Sequence, residues 1–287
     1  MNVRDGQHVG VVGAGLMGSG IVEVCGRAGL RVTFAEGSDD LVRAGRERIE
    51  RSLDRAVAKG KLDAGERDAV LGRIDGVADL DGLAQVDLVI EAATEDPAAK
   101  KAIFERLGTV TGEGVILASN TSSIPIASLA EASGRASNVV GMHFFNPVPV
   151  MPLIELTPAA STSEETYALV EAFGRDVLGK TCVRSSDEAG FIVNRLLIPY
   201  LYDAIRMYER GFATREDIDT AIKLGLAHPM GPLALADLIG LDTVFHIGEV
   251  LREAFEGDRY EAPALLRRLI DEGKLGRKAG AGFYEYA

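Results

Sequence analysis

Apolar residues follow two alternating rhythms along this chain. Short β-rich runs occupy His8 to Val12, Arg31 to Ala35, Val86 to Glu91, Val115 to Ser119 and Val139 to Phe144. Between them the apolar spacing lengthens, as in Leu41, Ala44, Ile49, Leu53 and Val57, which predicts helix. An apolar helix is expected from about Leu16 to Arg27, ended by Gly29, and another from about Pro97 to Val110. Strand, helix and second strand at the start span about 30 residues, the size of a minimal parallel crossover. The helical patterns at Ser38 to Gly60 and Ala64 to Leu71 predict an antiparallel helical hairpin projecting from the sheet.

After about Ser186 strand signals become scarce, and helices are expected at about Glu188 to Arg210, Arg215 to Leu224, Leu233 to Phe255 and Pro263 to Glu272. The fold class is therefore α/β, with a doubly wound (Rossmann-type), mostly parallel sheet carrying a helical hairpin insertion, followed by an all-α C-terminal domain. The domains are drawn as residues 1–186 and 187–287.

The turn between the first strand and first helix is Gly13-Ala14-Gly15-Leu16-Met17-Gly18. In such a loop the first glycine makes the tight turn, the second admits a pyrophosphate and the third lets the helix pack closely, while the helix N-terminus favours negative charge. The spacing alone is a weak signal; its place between strand and helix makes it a strong one. Glu36 closes the second strand, where a carboxylate accepts the adenosine ribose hydroxyls and repels a 2′-phosphate. NAD is the expected cofactor, held by Gly13, Gly15, Leu16, Met17, Gly18 and Glu36.

Composition narrows the partners. Among 287 residues 47% are hydrophobic and 26% charged, as in ordinary globular domains. A net charge of −12 counts against nucleic acid, which needs a basic surface. No apolar run approaches the roughly 20 residues that span a bilayer. The opening MNVRDGQHVG lacks a signal-peptide layout, so a cytoplasmic protein with no membrane partner is expected. Cys25 and Cys182 have no metal-ligand spacing and read as buried free thiols, with no metal site. Basic charge is concentrated locally: Arg43 to Lys61 holds seven basic residues against three acidic ones. Arg48, Arg51, Arg55 and Lys59 recur three or four apart and share a helix face, either a phosphate-binding stripe or a solvated surface.

Oxidation of an alcohol by a nicotinamide requires a base for the hydroxyl proton, and histidine is the usual one. His8 lies at the wrong end of its strand, His228 in an interhelical loop and His246 within a helix. His143 closes a strand, and ligands bind beyond the carboxyl ends of strands in open α/β sheets. Glu155, on the apolar run Leu153 to Leu156, is costly to bury unless paired. It either orients His143 or points to water on an alternating strand.

The segments SNTSSIPI, HFFNPVPVMPLIE, GFIVNRLLIPYL and GRKAGAGFYEY, in that order, resemble the L-3-hydroxyacyl-CoA dehydrogenase family from end to end, above all its 3-hydroxybutyryl-CoA dehydrogenases. The resemblance implies an NAD-dependent oxidoreductase acting on an acyl-CoA substrate. It implies His143 as general base, Glu155 as its partner, and Ser122 and Asn194 as hydrogen-bonding partners of the substrate oxygens, with the Asn194 helix facing a cleft between the domains. By the same resemblance Glu95, Lys100, Asn146 and Lys278 lie along NAD, Ser52 and Lys59 meet coenzyme A, and the second domain makes a homodimer. Two rivals stay open: a dehydrogenase of free hydroxy acids, and a non-catalytic NAD-binding protein.

Overall fold

The computed structural model describes residues 7–286; residues 1–6, part of the opening read as lacking a signal, lie outside the described residues, as does Ala287. The chain forms two compact units, one ending at Glu188 and the next beginning at Ala189, two residues beyond the expected break.

The first unit runs β1 (His8–Val12), α1 (Leu16–Arg27), β2 (Arg31–Ala35), α2 (Asp39–Ala58), α3 (Ala64–Leu71), β3 (Ile74–Val77), β4 (Leu88–Glu91), α4 (Pro97–Val110), β5 (Ile116–Ser119), α5 (Ile126–Ala132), β6 (Val139–Phe144), β7 (Leu153–Pro158), α6 (Glu164–Ala172) and β8 (Thr181–Arg184). The strands make one sheet in the order β3-β2-β1-β4-β5-β6-β7-β8. Every neighbouring pair is parallel except β6 and β7. The winding direction reverses between β1 and β4, which opens a crevice at their carboxyl ends.

Fully buried Val9, Val11, Val32, Phe34 and Ile90 of the sheet pack with Ile21, Val22 and Cys25 of α1. The helical hairpin is tied to this core by a few apolar side chains. Ile49 and Leu53 of α2 and Val70 of α3 are buried in this same core, because a helix with an apolar stripe must cover it. Ser38 caps α2 and a capping box of Asp63 and Glu66 starts α3, so the hairpin has defined ends. Strands β3 and β8 extend the sheet at its two edges beyond what the apolar pattern predicts.

The second unit contains α7 (Val193–Glu209), α8 (Arg215–Gly225), α9 (Pro232–Ile239), α10 (Leu241–Ala254) and α11 (Ala264–Asp271). Its core is built on Ile198, Leu201, Tyr202, Leu233, Val244, Leu251 and Leu266. The helix expected from Leu233 to Phe255 is two helices. Gly240, at φ 103°, turns the chain between them, a conformation open to glycine and strained for other residues. The helix read from Glu188 begins only at Val193, because Gly190 and Phe191 take positive φ. Asp237 fastens the terminal tail by accepting the Phe283 and Tyr284 amides at 2.9 Å each and the Tyr286 hydroxyl at 2.9 Å. Among the described residues no helix is long and apolar enough to cross a membrane.

Candidate active site

The glycine loop follows β1 into the crevice. A Cβ on Gly13 would lie 2.8 Å from the Ala93 Cα, and one on Gly18 would lie 1.8 Å from the Gly13 carbonyl oxygen. Above Gly15 there is open space, with nothing within 4 Å of a Cβ position. Gly15 is also the N-cap of α1 and supplies no side chain, so the first amides of that helix are left to an anionic ligand. These features fit a dinucleotide pyrophosphate. Leu16 stands exposed and Met17 half-buried beside the loop.

The Ala14 peptide is held from both sides. Its N–H donates to Glu36 Oε1 at 2.5 Å, and its carbonyl accepts from Arg48 Nη1 at 2.5 Å. Gly45 makes room for this, since a Cβ there would meet the Ala14 Cβ at 2.7 Å. Arg48 is therefore committed to the glycine loop and drops out of the expected basic stripe. Arg51 pairs with Glu47 at 3.4 Å, which leaves Arg55 and Lys59 as the exposed charges of that row. Ser52, half-buried, lies on α2, and Lys59 forms its C-terminal cap.

His143 and Glu155 are register partners on the antiparallel strands β6 and β7. Directly opposed residues project to the same face. His143 Nδ1 lies 2.8 Å from Glu155 Oε2, with the imidazole 9% exposed and the carboxylate fully buried. The Phe145 ring stands 4.6 Å from the imidazole, centroid to centroid. Asn146 follows, exposed to solvent. The loop joining the two strands is fixed from below by Lys180, whose Nζ donates to the Val148 carbonyl at 2.8 Å and the Met151 carbonyl at 2.7 Å. Burial of that ammonium pushes its pKa down.

Glu95 gathers the hydroxyl-rich loop after β5. Its Oε1 accepts Thr121 Oγ1 at 2.6 Å, the Ser122 amide at 2.9 Å, Ser122 Oγ at 3.3 Å and Ser123 Oγ at 3.1 Å. Burial pushes the Glu95 carboxyl up, but the Lys100 ammonium and these hydrogen bonds outweigh it and hold the carboxyl below its ordinary range. Lys100, expected along the cofactor, is 1% exposed, with Nζ 2.7 Å from both Glu91 oxygens and 3.5 Å from Glu95 Oε2.

In the second unit Asn194 is buried in the first turn of α7, and Lys278 is exposed and paired with Asp242 at 2.6 Å. Sequence reasoning passes over Glu91, Ser119, Arg48 as a loop anchor, and Lys180. Glu91 is legible as a charge ending an apolar strand; the others carry no signal without the fold.

A doubly wound sheet with a dinucleotide loop, and a carboxylate-held histidine near the carboxyl end of a strand, define a nicotinamide-dependent dehydrogenase. More narrowly, the chain belongs to the 3-hydroxyacyl-CoA dehydrogenase family. Residues 8–188 match the model of that family's NAD binding domain and residues 190–286 the model of its C-terminal domain. The chain is 53% identical over 281 residues to a 3-hydroxybutyryl-CoA dehydrogenase of Mycobacterium tuberculosis, covering 98% of each chain. Among solved structures it resembles FadB2 of M. tuberculosis, with a TM-score of 0.95 and 53% identity, covering 98% of this chain and 99% of that one. It also resembles (S)-3-hydroxybutyryl-CoA dehydrogenase PaaH1 of Ralstonia eutropha, with a TM-score of 0.91 and 45% identity, over 98% and 99% of the two chains.

Proposed function

We propose that this protein interconverts short-chain L-3-hydroxyacyl-CoA and 3-ketoacyl-CoA with NAD, 3-hydroxybutyryl-CoA and acetoacetyl-CoA being the principal pair. The observation that carries the mechanism is the 2.8 Å contact between His143 Nδ1 and Glu155 Oε2. With Nδ1 turned to the carboxylate, proton exchange with the substrate hydroxyl falls to Nε2. Glu155 then stabilises the imidazolium that forms, inside a buried setting where the charge interaction is strong. Bound NAD⁺ supplies the hydride acceptor. Ser122 and Asn194 hold the substrate oxygens, so that C3 is oriented before reaction; the half-buried Ser122 supports this reading.

On the cofactor side the loop Gly13 to Gly18 receives the pyrophosphate and Glu36 the adenosine ribose, while Glu95, Asn146 and Lys278 line the remainder. Ser52 and Lys59 meet coenzyme A. The first domain binds NAD, and the helical domain contributes to substrate binding and to a homodimer. Exposed Leu196, Phe212, Leu224, Leu226 and Leu238 in the second unit support the dimer. A cytoplasmic location completes the reading.

Following NADH absorbance with acetoacetyl-CoA and, separately, with free acetoacetate tests it. Oxidation of NADH by the thioester and not by the free acid is expected; equal rates would overturn the coenzyme A assignment.

A further inference from the structure

Glu91 ends β4 and Ser119 ends β5, and the two residues are register partners in the sheet. Both are fully buried. The Glu91 carboxylate accepts four hydrogen bonds: two from Lys100 Nζ at 2.7 Å, one from Ser119 Oγ at 2.7 Å and one from the Ala93 amide at 2.8 Å. Lys100, on the first turn of α4, then reaches Glu95 Oε2 at 3.5 Å, and the other Glu95 oxygen collects Thr121, Ser122 and Ser123. Two carboxylates thus share one buried ammonium; the second gathers the loop hydroxyls, while the first meets the start of the loop through Ser119 Oγ, which accepts the Thr121 amide at 3.3 Å.

A buried ion pair is a poor source of stability, because desolvation offsets its attraction and apolar packing serves as well. What it supplies is a fixed position. We propose that Glu91 is a positioning residue of the active site. By fixing the Lys100 ammonium at the base of the crevice, it sets where Glu95 stands and, through Glu95, where the Thr121 to Ser123 loop stands. If the Glu91 charge is removed, the ammonium has a single anionic partner. It then draws Glu95 inward, in competition with the loop hydroxyls. This proposal rests on the reading of Glu95 as a cofactor contact.

The test is a double-mutant cycle on NADH affinity, measured by fluorescence titration of the full-length protein. It compares the unaltered protein with Glu91→Gln, Glu95→Gln and the double variant. Glu91→Gln is expected to weaken NADH binding by about 10-fold in the unaltered background and by less than about 2-fold when Glu95 is already Gln, the range of coupling found between residues in one network. Equal losses in both backgrounds, or none in the first, would overturn the positioning role. If Glu91→Gln does not fold, Glu91→Asp enters the same cycle, keeping the charge but withdrawing it from the Lys100 ammonium, with an expected loss of about 3-fold. Unaltered affinity in Glu95→Gln alone would reject the cofactor contact itself, an outcome separate from failure of the relay.

Discussion

Glu155 faces His143 across the one antiparallel pair of the sheet, so the imidazole and its carboxylate are joined by strand register as well as by a hydrogen bond. Glu155→Gln keeps the volume and an acceptor for Nδ1 but removes the charge that favours the imidazolium. Turnover should fall by about 10²-fold, within the usual range for disabled acid–base catalysis, while NADH affinity stays near that of the unaltered protein. Stopped-flow reduction of acetoacetyl-CoA measures the first quantity and fluorescence titration the second.

Arg48 anchors the glycine loop from α2. Arg48→Ala should weaken NADH binding by about 10-fold, the loss expected for a charge-assisted hydrogen bond, with the turnover at saturating NADH little changed. A change confined to turnover would contradict this role.

Gly18 has the strictest steric requirement of the loop, since a Cβ would run into the Gly13 carbonyl backbone. Gly18→Ala should separate α1 from β1 and abolish NADH binding in calorimetric titration, with a lowered melting temperature. Gly15→Ala, with open space above it, should leave the melting temperature near that of the unaltered protein and weaken NADH binding instead.

The Glu95 carboxyl titrates below its ordinary value of 4.5, so the folded state favours its ionised form. The sign follows: its contribution to stability is complete above about pH 4.5 and is lost as pH falls through the lower folded value. Glu95→Gln should therefore melt below the unaltered protein at neutral pH, and the two melting temperatures should converge in acid. Melting curves from pH 3 to pH 7, a span set by the ordinary carboxyl range, check this.

Sequence patterning carried the sheet strands that surround the crevice, because each combines an apolar run with a clear turn or helix after it. The glycine loop, Glu36 and the placing of His143 at a strand end were legible for that reason. The edge strands were not: Ile74–Val77 contains a glycine and an aspartate, and Thr181–Arg184 is four residues long with polar residues at both ends. Gly240 within an apolar helical pattern reads as a tolerated glycine until its φ of 103° is known. At the site, the pairing of Glu155 with His143 was open in the sequence, since an alternating strand offers two faces and only the register selects one. The burial of Lys100 is hidden for a related reason. Its burial depends on a carboxylate nine residues away that only the fold brings to it.

General base catalysis by His143 is tested most directly by His143→Gln in single-turnover reduction of acetoacetyl-CoA by bound NADH. The rate should fall by ~10²–10⁴-fold with NADH affinity retained. A variant that turned over at the unaltered rate would contradict the mechanism.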